Sequence, residues 1–248
     1  MELIRPDWPA PPRVQAASTT RLGGVSPAPY DALNLADHVG DDPAHVARNR
    51  ALLLDRLALP AEPLWLEQVH GPDWVDAGAA SPGCAADAAV ARAPGQVCAV
   101  MTADCLPVLL CTRGGEAVAA AHAGWRGLAA GVIEQAVVAL GADPEEILAW
   151  LGPAIGPGAF EVGGEVRDTF VAEDPGAAAD FGARSPRKWL ANLFGLARRR
   201  LARMGVTQVY GGGLCTYSDR ARFYSFRRDG ATGRMASLIW LADAETGS

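Results

Sequence analysis

The chain has 248 residues, half of them apolar and a fifth charged, which suits one sizeable buried core in a soluble globular protein. A formal net charge of −6 argues against a nucleic-acid partner. No stretch approaches the roughly 18 to 20 continuous apolar residues of a membrane span, and Met1 to Arg13 lacks the apolar run of a secretory signal.

In chain order, Asp42-Pro43 reads as an N-cap followed by proline at the first helical position. Val46, Arg50, Leu53 and Leu57 then keep helical spacing up to Leu59. The loop-like Gly78–Gly83 leads to three short apolar runs, Val97–Thr102, Pro107–Thr112 and Ala117–Ala121, with lengths that suit buried strands. After the third comes a glycine-containing turn and then Leu128, Val132, Ala136, Val137 and Leu140, the spacing of a helix. Ile147–Leu151 reads as a strand. Val162, Val166 and Phe170 mark one helix, and Leu190, Leu193, Ala197, Leu201 and Met204 another. A basic run in that last helix (Arg198, Arg199, Arg200 and Arg203) reads as a solvated face. Asp174–Ala179 is a loop, and Gln208–Leu214, Phe223–Phe226 and Met235–Leu241 are late strands, with an Asp229-Gly230 turn between the last two. With no internal repeat and no long linker, residues 1–248 form a single α/β or α+β domain with one shared core.

The five cysteines show neither CxxC spacing nor a paired framework, so reduced thiols in the cytoplasm are the simplest reading. Only four histidines are present. His38 and His45 flank a turn at a helix start and read as surface residues. His70 ends an apolar run before Gly71-Pro72, His122 follows its own strand, and Cys105 lies in the break between two strands. Each taken alone reads rather as a satisfied core or loop residue. Their shared position at strand-to-loop breaks, with glycines beside them, favours a common site. Two imidazoles and one thiolate are a ligand set of catalytic zinc, with the fourth position open. Arginines form a second group. Arg21 precedes a glycine pair, Arg126 sits between Gly124 and Gly127 before a helix, and Arg227 and Arg228 stand beside a turn, settings that suit phosphate or carboxylate.

The motifs TRLGGVS (Thr20–Ser26), YDALNL (Tyr30–Leu35), QVHG (Gln68–Gly71), ADCLP (Ala103–Pro107), HAGWRG (His122–Gly127), LGPAIG (Leu151–Gly156), FEVG (Phe160–Gly163), GGGLCT (Gly211–Thr216) and FYSFRRDG (Phe223–Gly230) span nearly the whole chain. Together they resemble the multicopper polyphenol oxidase, or laccase-domain, family, also called the purine nucleoside phosphorylase and peptidoglycan editing factor family. The resemblance implies a four-layered α/β/β/α sandwich with mixed β-sheets. It also implies zinc held by the histidine of QVHG, the cysteine of ADC and the histidine of HAGWRG, here His70, Cys105 and His122.

The family's names disagree about its chemistry. A multicopper oxidase needs a blue-copper site and an imidazole-rich trinuclear cluster, which four histidines cannot supply. Copper is therefore the lesser alternative to zinc. The resemblance also implies phosphorolysis of adenosine, inosine and methylthioadenosine, with adenosine deamination, a set that suits the residues better, although the H-x-E and P-C-x-x-C deaminase signature is absent. Arg126, and secondarily Arg21, would hold phosphate, with Arg227 and Arg228 as further substrate contacts. Asp104 would be an acid/base group or a partner to a histidine. Two other classes stay open. One is an amide hydrolase with Cys105 as nucleophile and His122 as base; the other is a scaffold with structural zinc, for which no fourth ligand stands out. The partners expected are a purine nucleoside and phosphate, with the chain a monomer or weak homo-oligomer.

Overall fold

In a computed structural model, which describes residues 1–243, the apolar runs become strands whose alternate residues face opposite layers. The elements in order are β1 (Leu3–Ile4), β2 (Val14–Thr19), α1 (Pro43–Leu57), β3 (Trp74–Asp76), β4 (Ala88–Ala91), β5 (Val97–Thr102), β6 (Leu106–Thr112) and β7 (Val118–Ala123). There follow α2 (Trp125–Ala130), α3 (Val132–Leu140), β8 (Ile147–Leu151), β9 (Glu161–Gly163), α4 (Gly164–Glu173), β10 (Phe181–Ser185), β11 (Lys188–Ala191), α5 (Leu193–Arg203), β12 (Gln208–Gly211), α6 (Phe226–Asp229) and β13 (Met235–Leu241). A four-stranded sheet runs β1-β2-β13-β5 and a six-stranded mixed sheet runs β12-β8-β6-β7-β4-β3; β10, β11 and β9 form a small third sheet.

The two large sheets face each other. Cys98 and Val100 of β5 and Ile239 and Leu241 of β13 meet Leu109 and Cys111 of β6 and Val118 and Ala120 of β7 in the central layer. The intervening residues Val97, Ala99, Met101, Leu238 and Trp240 turn outward onto Leu53 and Leu57 of α1. On the far side of the six-stranded sheet, Leu106, Val108, Ala119 and Ala121 lie under α3 and α5. The expected α/β/β/α sandwich is therefore the observed single-domain fold. No helix among the described residues is long and apolar enough to cross a membrane.

Several local expectations are corrected. The helix read through Val132 is two helices, because Gly131 takes φ +97° and ends α2. Val162 and Leu190 belong to strands that precede α4 and α5. Phe223–Phe226 is not a strand: Ser225 caps α6, and Asp229 lies in that helix rather than in a hairpin turn. In α5, Arg200 points inward, its side chain only 6% exposed and bridged to Glu134 and Glu173, so the basic run is not a wholly solvated face.

Candidate metal centre

Strand parity brings two of the candidate residues to one place. Pro107 pairs with His122 across β6 and β7, and His122 shares the face of Val118 and Ala120 that looks into the central layer. Cys105 lies just before β6. His70 arrives from a segment with no regular strand: isolated bridges join Leu64 to Cys98 and Glu67 to Ala85, and the Gln68 side chain bonds both the N–H and the carbonyl of Met101. One ligand atom from each of His70, Cys105 and His122 lies within 4.8 Å of the others, a group that can hold a metal ion. Cys105 Sγ is 3.9 Å from His70 Nε2, and the two imidazoles meet edge to face with centroids 4.8 Å apart. Gly124 makes this approach possible: a Cβ there would stand 2.9 Å from Cys105 Sγ and 3.0 Å from the His70 ring.

The organiser of the group is Asp87, a fully buried carboxylate just before β4. One oxygen accepts from His122 Nδ1 at 2.7 Å and from the His70 N–H at 3.0 Å; the other accepts from the Val69 and Gly71 N–H groups at 3.1 and 2.7 Å. Those three consecutive N–H groups hold His70 at φ +61°, a backbone region that residues other than glycine seldom enter, although histidine does so more readily than most. The proton held at Nδ1 leaves Nε2 of His122 as its free ligand nitrogen.

Burial raises the Asp87 carboxyl, but the bonds from His122, Gly71 and His70 outweigh it and hold it below the usual carboxylate range. Burial likewise disfavours ionised Cys105, yet the two neighbouring imidazoles bring the thiol down to about 6. His122 rises to about 9, because Cys105 and Asp87 more than offset the effect of burial. Without metal, the pair is a thiolate beside an imidazolium. Cys98 and Cys111, buried with no such cations, are pushed upward, the latter to about 12.

The three residues open into a cavity of about 370 Å³, the size of a small-molecule site, whose wall also includes His38, Gln68, Met101, Phe226 and Arg234. A family model described as multi-copper polyphenol oxidoreductase laccase matches residues 15–242. The chain belongs to this family. It is 57% identical over 241 residues to a protein of Escherichia coli K12 named purine nucleoside phosphorylase YfiH, covering 97% of this chain and 99% of that one. Purine nucleoside phosphorylase PA4543 of Pseudomonas aeruginosa is also 57% identical, over 97% and 98% of the two chains. Among solved structures, Neisseria meningitidis protein NMB0706 superposes with a TM-score of 0.94 at 51% identity, covering 98% of this chain and 100% of that one. YlmD of Geobacillus stearothermophilus gives 0.87 at 31% identity, over 94% and 93%.

This member of the laccase family places its other candidate residues less simply. Asp104 neighbours Cys105, but its carboxylate accepts from Thr216 Oγ1 at 2.6 Å, Ser225 Oγ at 2.9 Å and the Arg227 N–H at 2.7 Å. It pins the start of α6, and the partner of a histidine is Asp87 instead. Arg21 is bonded to Asp31 and stacked on Tyr224. Arg228 donates to the carbonyls of Thr216, Tyr217 and Phe223 and pairs with Asp229. Arg227 donates to the Glu161 carbonyl, and the exposed Arg126 stacks on Trp125. None of these four arginines lines the cavity. Arg234, which does, stands outside every motif that drew attention in the sequence. So does Asp87, which sits in an alanine-rich run with no local signal.

Proposed function

We propose that the chain is a zinc-dependent purine nucleoside phosphorylase that cleaves adenosine, inosine and methylthioadenosine with phosphate, and that adenosine deamination is a second activity. The observation that carries this reading is a thiol and two imidazoles at the mouth of a cavity of about 370 Å³. The full-length likeness to relatives named purine nucleoside phosphorylases supports it.

The donor set fits zinc: one thiolate and two imidazoles fill three tetrahedral positions and leave the fourth open. Bound there, zinc supplies Lewis-acid polarisation of a substrate group. The protein's part is to hold the donors ready. Asp87 keeps a proton on His122 Nδ1 and fixes the His70 turn. Cys105 is ionised near neutral pH, and Met101 and Phe226 add apolar groups to the cavity wall. Asp104 acts through position, holding Phe226 at the rim by way of the α6 N-terminus. Copper oxidation of the multicopper type lacks the imidazoles it needs. The proposed setting is cytoplasmic, as a monomer or weak homo-oligomer acting on small molecules.

The thiolate–imidazolium character of Cys105 and His122 favours one second reading, an amide hydrolase with Cys105 as nucleophile. Chelation separates the two, since a nucleophilic cysteine keeps its activity without metal. Zinc-loaded protein incubated with adenosine or inosine and phosphate, with products resolved by chromatography, should release free purine base. Intact zinc with neither base nor deaminated nucleoside formed refutes the proposal.

A further inference from the structure

Phosphorolysis needs an anion site beside the nucleoside, and the four arginines singled out in the sequence lie elsewhere. The cavity wall does contain one arginine. Arg234 enters from the start of β13, with its own N–H fixed on Asn34 Oδ1 at 3.0 Å. Its Nη1 donates to the carbonyls of Thr232 and Gly233 at 2.8 and 3.1 Å. Nε and Nη2, the two nitrogens on the outer edge of the guanidinium, have no partner among the described residues.

No carboxylate among the described residues pairs with this guanidinium. The nearby Asp104 carboxylate is spent on Thr216, Ser225 and the Arg227 N–H. Arg21, Arg200 and Arg228, by contrast, each bridge an acid. Arg234 is only partly exposed, and the ring of Phe226 stands 5.7 Å from its guanidinium. A half-buried cation that makes no direct ion pair is costly unless a ligand supplies one. Burial here lowers the Arg234 pKa, and the charges of Cys105 and Asp104 only partly offset that.

We propose that Arg234 is the oxyanion-binding residue of this cavity, holding inorganic phosphate through Nε and Nη2 beside His70, Cys105 and His122. The proposal rests on the phosphorylase reading and gives that site its second substrate. The edge formed by Nε and Nη2 is a parallel two-donor fork that matches two oxygens of a tetrahedral anion. Phosphate held there attacks C1′ of the nucleoside. The new O–C1′ bond forms as the C1′–N9 bond breaks, and the electron pair leaves with the purine. The proton carried in on hydrogen phosphate passes to the base, giving ribose 1-phosphate and free purine. Arg234 neutralises the incoming dianion and fixes its orientation; it takes no proton itself.

The test compares wild type, Arg234→Gln and Arg234→Lys, with the exposed Arg113→Gln as a control for general charge loss. Zinc content and thermal unfolding are checked for each. Inorganic phosphate affinity is measured calorimetrically on zinc-loaded protein, alongside KM for phosphate and for inosine. Loss of a charge-assisted fork should weaken phosphate about 10- to 100-fold in Arg234→Gln, with inosine KM changed by less than about twofold. Arg234→Lys, which keeps the charge but not the fork, should lose less, and Arg113→Gln nothing. If Arg234→Gln folds poorly, Arg234→Lys carries the decision through a selective rise in phosphate KM. Phosphate binding that is undetectable in wild type, or unchanged in the Arg234 variants, overturns the assignment. Wild type that binds phosphate through Arg234 yet cleaves no nucleoside overturns the phosphorylase reading and leaves the anion site standing.

Discussion

Replacing Asp87 with asparagine should damage the candidate metal centre although Asp87 is not itself one of the three ligands. The carboxylate receives four donors, two on each oxygen, and it is fully buried, so solvent cannot compensate. An asparagine amide must turn its NH₂ toward one pair. Facing His122 and the His70 N–H, it breaks the bond that sets the imidazole tautomer; facing Val69 and Gly71, it releases the turn that holds His70 at φ +61°. Two charge-assisted bonds at about 1.5 to 3 kcal/mol each give a stability loss on the order of 3 to 6 kcal/mol. Zinc affinity should fall about 10- to 100-fold, the usual effect of removing a partner that orients a ligand. Competition against a chromophoric chelator reads the affinity, and ¹⁵N NMR of His122 reads the tautomer. Because the folded-state pKa of Asp87 is depressed, its contribution is present above the unfolded value near 4 and is lost as pH falls through the folded value. The wild type should therefore destabilise on acidification more steeply than Asp87→Asn. Wild-type zinc affinity and tautomer in the variant would refute the role given to this carboxylate.

Two further outcomes are expected. In metal-free protein, iodoacetamide should alkylate Cys105 with an apparent pKa of about 6, while Cys98 and Cys111 stay inert at neutral pH and added zinc protects Cys105; an ordinary thiol titration near 9 at Cys105 would contradict the thiolate assignment. Gly124→Ala places a methyl 2.9 Å from Cys105 Sγ and 3.0 Å from the His70 ring, so zinc affinity measured by the same competition should drop about tenfold or more with little change in unfolding temperature.

Much of the architecture was legible from local pattern. Asp42-Pro43 does start α1, where the Asp42 side chain accepts from the Ala44 N–H. The apolar runs at β5, β6, β7, β8 and β13 are strands because both of their faces are buried between layers. β4 escaped notice: Ala-Ala-Val-Ala carries little strand propensity and is a strand only because β7 and β3 bond to it. Phe223–Phe226 has the residues of a strand, yet Ser225 and Asp104 accept from the Arg228 and Arg227 N–H groups just after it, a helical cap that no pattern in the segment announces.

The same division holds at the metal centre. Which side chains could bind a metal was readable from the residues, since four histidines leave few choices and His70, Cys105 and His122 stand at chain breaks. That they converge, and what holds them there, depends on packing between segments far apart in the chain. Asp87 acts on His70 from 17 residues away and on His122 from 35, and Arg234 reaches the cavity from the opposite end of the chain. Ligand identity is a property of a residue. Orientation, ionisation and the pairing of a buried charge belong to whatever packs around it, which here comes from strands and loops remote in sequence.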